Sequence, residues 1–149
     1  MSVWNIMRIG ASALSAQRLR LDTVSNNIAN AETTRTEEGG PYKRRDVVFT
    51  PQGSQGFLPQ FLAARHKREL DSPLGGVQVA AIVTDNSTGP RIYDPEHPDA
   101  DAEGYVNYPN VNLVTEMTNM ISATRSYEAS LAVIEAAKKM ALKALEIGR

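Results

Sequence analysis

Two heptad seams, one at each end of the chain, restrict its fold more than any other feature. Val3, Met7, Gly10, Leu14, Gln17, Leu21, Val24 and Ile28 succeed one another in steps of four and three without a slip. That spacing is the narrow stripe of a helix built to pack on another helix. Residues 2–30 contain no Pro and a single Gly, Gly10, so they read as one helix roughly 40 Å long at about 1.5 Å per residue. Ser2 stands where an N-cap belongs, and Asn30 where a left-handed residue stops a helix.

The second seam runs through Leu113, Met117, Met120, Thr124, Tyr127, Leu131, Ile134, Lys138, Ala141 and Leu145. Pro109 marks its boundary, Asn112 is placed to cap it, and Glu116 falls in the first turn, where a negative charge suits the helix dipole. Ala137 replaces Lys138 on the stripe if the local period relaxes toward 3.6. Lys138, Lys139 and Lys143 sit near the C-terminal end, where cations are favoured, and Gly148 closes the pattern of a helix about 50 Å long.

Between the seams, residues 31–109 hold all eight prolines and eight of the ten glycines, and the apolar period shortens to two. Val77-Gln78-Val79-Ala80-Ala81-Ile82-Val83-Thr84 reads as a strand, and Arg91-Ile92-Tyr93, across a turn signal ending in Gly89-Pro90, reads as its hairpin partner. Asp46-Val47-Val48-Phe49-Thr50 is a third strand. Phe57-Leu58 and Phe61-Leu62-Ala63-Ala64 fit helix and strand equally. The expected fold is therefore α+β: long N- and C-terminal helices (1–31 and 110–149) forming an antiparallel coiled-coil pair, with a small β-rich central domain at 32–109.

Closing a loop of about 80 residues to bring the seams together costs roughly 4 kcal/mol of chain entropy, comparable with the whole stability of a small domain. Gly10 adds backbone entropy and Gln17 an amide on the seam, and both weaken the pair. Periodicity alone leaves two outcomes open: a helical hairpin in a monomer, or helices that become firmly packed only among other subunits.

Composition narrows the chemistry. Sixteen Lys and Arg against seventeen Asp and Glu give a net charge of -1, so no global field favours nucleic acid or anionic lipid. There is no Cys and there are two His, which removes thiolate nucleophiles, disulfides and Cys-based zinc sites and leaves little for His-based catalysis. No uncharged apolar run approaches the ~20 residues of a membrane span. Ala11-Ser12-Ala13 imitates a cleavage site, but Asn5 and Arg8 break the apolar stretch before it, so export needs another route than a cleaved signal peptide. Asp94, Glu96, His97, Asp99, Asp101 and Glu103 crowd one segment but fail EF-hand spacing, and a Pro-stiffened solvated linker is expected there. His66 lies in the solvated basic run Arg65-His66-Lys67-Arg68. Lys43-Arg44-Arg45 suits an acidic neighbour and is too short for nucleic acid. Neither phosphate loop nor nucleophile elbow occurs, so the expectation is a non-enzyme with no cofactor and no small-molecule substrate.

The helix boundaries carry a further signal. Ala13-Leu14-Ser15-Ala16-Gln17-Arg18, then Leu21-Asp22-Thr23-Val24-Ser25-Asn26-Asn27-Ile28-Ala29-Asn30-Ala31, resembles the N-terminal signature of the bacterial flagellar rod and hook proteins. Three Asn in five residues is poor helix chemistry that packing alone does not select. Gly104-Tyr105-Val106-Asn107-Tyr108-Pro109-Asn110-Val111-Asn112, followed by Glu116-Met117, Met120-Ile121, Ala123 and Arg125-Ser126-Tyr127-Glu128-Ala129, resembles the C-terminal signature of that family. The linker from Tyr93 to Val106 is similar to that of its proximal-rod members, whereas residues 52–75 depart from the pattern.

The resemblance implies a structural subunit of the proximal rod, stacked helically with itself and with other proximal and distal rod proteins, and meeting the junction protein that joins rod to membrane ring. It implies periplasmic residence after passage through the flagellar type III apparatus, without insertion into the membrane. Val3, Met7, Leu14, Leu21, Val24 and Ile28 are expected to face Leu113, Met117, Met120, Tyr127, Leu131 and Ile134. Asn26, Asn27, Asn30, Glu116 and Arg125 carry the family motif, with Glu116 and Arg125 expected to make polar contacts between subunits. Two other readings compete with it: a secreted helical adaptor or effector that binds one partner, and a metal-dependent enzyme built on the segment from Asp94 to Glu103.

Overall fold

The computed structural model describes residues 3–52 and 75–147. Ser2, Phe57, Leu58, the segment from Phe61 to Ala64, His66 with its basic neighbours, and Gly148 lie outside them. Helix α1 spans Val3–Ala29 and helix α2 spans Leu113–Ile147. Between them come four strands: β1 (Arg45–Gln52), β2 (Gly75–Thr84), β3 (Arg91–Tyr93) and β4 (Tyr105–Asn107). The helices run antiparallel: Asn27 meets Glu116 near one end of the pair, and Gly10 abuts Ile134 toward the other.

β1 and β2 form a two-stranded antiparallel ribbon with Arg45 opposite Thr84 and register shifts after Val48 and Pro51. The second shift skips Gly76, which has a φ of 35°. Here the ribbon grips α1, with the Val77 N–H donating to Ser12 Oγ at 3.1 Å. A Cβ on Gly76 would collide with that same hydroxyl. One side of α1 therefore packs on the ribbon and the other on α2, while α2 packs on no described element except α1.

The expected hairpin between β2 and β3 does not form. β2 pairs with β1 on one edge, and Asp85 extends that ladder by donating to Arg44 O at 2.8 Å. β3 pairs instead with β4, Ile92 opposite Val106, a strand the sequence pattern left inside the linker. Tyr93 and Tyr105 pack edge to face at 5.2 Å, and Val106 is buried beneath. The linker between them is more ordered than a solvated tether. Asp101 Oδ1 accepts from the N–H groups of Glu103 and Tyr105, each at 2.9 Å, and Arg91 pairs with Asp101 at 2.5 Å and Glu103 at 3.1 Å. These bonds hold the Asp101 carboxyl below its ordinary pKa, the Tyr105 N–H contributing most and Arg91 next.

The seam of α2 has the expected heptad but a different facing. Met120, Tyr127, Ile134 and Ala141 lie toward α1. Between them, Glu116, Ala123 and Ser130 occupy the stripe where Met117, Thr124 and Leu131 were expected, Ala137 takes the place of Lys138 as a period relaxed toward 3.6 allows, and Glu116, Ala123 and Ala137 are buried. Leu113, Met117 and Leu131 are consequently exposed at 49%, 53% and 43%. The physical reason is proximity: alanines on α2 and Gly10 on α1 let the backbones approach more closely than paired Leu and Met would permit. On α1, Val24 is buried, Met7, Leu14, Leu21 and Ile28 are half-buried, and Val3 is exposed. Gln17 does carry the expected cost, for its Oε1 is buried without a hydrogen-bond partner among the described residues. Asn112 caps α2 as expected, accepting from the Thr115 N–H at 3.1 Å. Asn30 does not adopt a left-handed conformation. Its side chain donates to Asn26 O at 2.9 Å instead, closing the helix with its own amide.

Gly10 is thus a notch that receives Ile134. A Cβ there would stand 2.6 Å from Ile134 Cγ1, closer than packing tolerates. Gly10→Ala should lower the melting temperature, overpacking at about 1–3 kcal/mol outweighing a helix-propensity gain of about 1 kcal/mol. In an Ile134→Ala background the same change should become stabilising. Thermal unfolding of the four chains checks the reversal of sign.

Candidate functional site

At the Asn27 end of the pair, residues from three distant parts of the chain meet in a buried polar joint. Asn27, on the last turn of α1, uses its full hydrogen-bonding capacity. Its Nδ2 donates to Glu116 Oε2 at 2.9 Å and to Arg45 O at 2.7 Å. Its Oδ1 accepts from Arg45 N at 3.0 Å and from the Tyr42 hydroxyl at 2.9 Å. The amide therefore pairs with both backbone groups of Arg45 as a neighbouring strand would, and the first residue of β1 is fixed to the helix.

Glu116 is 0% exposed. Its Oε1 accepts from Arg44 Nε at 2.9 Å and Asn119 Nδ2 at 3.3 Å, so both carboxylate oxygens are held. Burying this charge is tolerable because a cation and two amides replace its water. Arg44 also pairs with Asp46 at 3.3 Å. Burial alone would lower the Arg44 pKa, but the hydrogen bond and charge of Glu116, with Asp46 behind them, carry it upward. Burial raises the Tyr42 phenol above its ordinary value; Arg45 opposes the shift and Glu116 adds to it. A second amide braces the opposite side: Asn110 Oδ1 accepts from Arg44 N at 2.8 Å, and its Nδ2 donates to Asp85 O and Ser87 Oγ.

Among the motif residues, Asn27 and Glu116 come together, Asn30 closes α1, and Asn26 and Arg125 are exposed. The expectation that Glu116 contacts another subunit is corrected: its oxygens are engaged within its own chain. The basic run did find an acidic neighbour, that same Glu116. Tyr42, Asn110 and the role of Arg44 were missed, although one signal was present, since Glu116 is the only charged residue between Glu103 and Arg125. Asn112, which caps α2, and the joint are all structural in character. The carboxylate of Asp101, central to the candidate metal segment, is engaged with backbone N–H groups and Arg91.

The joint falls within the parts of the chain that match known proteins. A family model described as "Flagella basal body rod protein" matches residues 7–35, which include Asn27. One described as "Flagellar basal body rod FlgEFG protein C-terminal" matches residues 102–147, which include Asn110 and Glu116. Relatives carrying the name flagellar basal-body rod protein FlgC are similar over essentially their entire length. The one from Borreliella burgdorferi is 44% identical, with 99% of this chain and 98% of the relative covered. Those from Bacillus subtilis and Salmonella typhimurium are 41% and 38% identical, with both chains fully covered.

Glu116→Ala should cost about 2–3 kcal/mol in denaturant unfolding, somewhat less than the ~3–5 kcal/mol of a fully buried pair because Arg44 retains some solvent. For Tyr42, a raised folded pKa means that its stabilising effect is complete below the unfolded value of about 10 and is lost as pH rises through the folded one. Wild type should exceed Tyr42→Phe in stability by about 1 kcal/mol near neutrality, and that gap should close above about pH 10 in paired melting curves.

Proposed function

The chain belongs to the FlgC family of flagellar basal-body rod proteins and is a structural subunit of the basal-body rod; from that premise we propose that it builds the proximal rod, stacking helically with copies of itself and with other proximal and distal rod proteins. Its role is mechanical rather than catalytic. The observation that carries the reading is that α2 bears apolar side chains on several faces while α1 covers only one. Val114, Met117, Ile121, Val133, Met140 and Leu142 are 52–73% exposed, and no described element besides α1 packs on this 35-residue helix. A helix apolar on most sides is ordinarily buried on most sides, so neighbouring helices in a shaft supply the cover that the single chain lacks.

On this reading Leu113, Met117 and Leu131 serve the assembly by facing outward to other subunits rather than inward to α1. Exposed Arg125 is available for polar contact between subunits, and the junction protein at the membrane ring is a further neighbour. The subunit reaches the periplasm through the flagellar type III apparatus as an unfolded chain. Zero Cys suits an oxidising destination.

Val114→Asp together with Ile121→Asp should separate folding from assembly. Both side chains are exposed in the monomer, so its unfolding free energy should change by no more than about 0.5 kcal/mol per site. The variant should be exported, yet cells carrying it should not swim. Normal swimming would sink the assembly role assigned to α2.

A further inference from the structure

We propose that His97 is a pH-sensitive clasp: neutral, it holds the linker between β3 and β4 against the connection from α1 to β1, and protonated, it lets go. The imidazole stands at the middle of the linker turn. Its Nδ1 accepts from the Asp99 N–H at 3.1 Å, and its ring meets that of Tyr108 edge to face, 6.4 Å between centroids. Backbone bonds close the turn around it, the His97 N–H donating to Asp94 O at 3.4 Å and the Ala100 N–H to His97 O at 3.0 Å. A ring nitrogen that accepts carries no proton, so this arrangement requires neutral imidazole with its proton on Nε2.

Asp99, held by His97 through its backbone, ties the linker to the connection through its side chain. The carboxylate accepts from Thr34 Oγ1 at 2.8 Å and lies 3.8 Å from the Arg35 guanidinium. A cavity of about 350 Å³ separates the same two segments, with Thr34, Arg35 and Pro41 on one side and Pro98 and Asp99 on the other. The tie therefore spans a gap instead of a packed interface, and the linker has room to move once it is broken.

Imidazole is the side chain that ordinarily changes charge between about pH 5 and 8, and a proton on this ring acts against the tie in two ways. It turns Nδ1 from acceptor into donor, so two N–H groups face each other where a hydrogen bond stood. It also draws the ring toward carboxylates, and those around the turn are Asp94, Glu96 and Asp99. At Asp99 the imidazolium competes with Arg35 and Thr34, the groups that reach the carboxylate from the connection. Tyr108 is the other titratable neighbour of the ring, and a phenol carries no charge at these pH values. Both effects free Asp99 from the connection.

The device is a property of the single chain, and heteronuclear NMR of the full-length protein, followed from about pH 8 down to about pH 5, tests it. At the alkaline end the His97 Nδ1 should resonate as an unprotonated acceptor. On acidification the Asp99 amide proton should move upfield with the same midpoint as the His97 ring nitrogens, and nuclear Overhauser contacts between Asp99 and Thr34 should fade with it. His97→Asn separates the ring from the carboxylates: an Asn side chain can bond the backbone two residues on but does not titrate, so Asp99 should keep its place at both ends of the range. His97→Ala should show the released linker at both. An Asp99 amide in the wild-type chain that does not follow the ring overturns the proposal. So does an acid shift that survives in His97→Asn, since protonation of carboxylates would then be its cause. The wild-type titration alters no residue, so it decides the matter even where a variant fails to fold.

Discussion

A single buried carboxylate organises the molecule. Glu116 lies in the first turn of α2, and satisfying its charge away from water requires Asn27 from the end of α1 and Arg44 from just before β1. An ion in such a place is costly unless its partners are present, so the positions of the three segments are energetically coupled. The helix pair thereby acquires its register at one end, and Ile134 seated in the notch at Gly10 sustains it toward the other.

Fixing the joint also fixes the ribbon. Because Asn27 binds both backbone groups of Arg45, β1 leaves the helix end in one direction, and the Ser12 bond to Val77 lays the ribbon back along α1. The order of packing that results among the described residues, ribbon on α1 and α1 on α2, leaves α2 as an outer layer on which no described element but α1 packs. The joint holds the β-rich part at a set angle to that helix.

Among the described residues, the buried apolar side chains are mainly small, namely Ala16, Ala123 and Ala137, with Val24 and Val106. Specific polar bonds and close backbone approach define the subunit, and many of the large apolar side chains of α2 are left exposed. That division suits the proposed role, in which the chain passes unfolded through the export apparatus and becomes firm once assembled.

The heptads by themselves determined two long terminal helices, the Asn112 cap and a β-rich insertion, because periodicity and capping are local properties of a chain. The Asn cluster and the charge at Glu116 also marked the joint's two principal residues. Tertiary structure alone decided which face of α2 meets α1, since Met117 and Glu116 are adjacent in sequence and both fit a four-three stripe. Only the distant partners Arg44 and Asn27 select the carboxylate for burial. Strand pairing was likewise beyond local reading: β2 and β3 each have strand pattern, but the partner of each is set by contacts between segments distant in sequence. Ladder bonds to Arg44 and the turn at Asp101 assign β1 to one and β4 to the other.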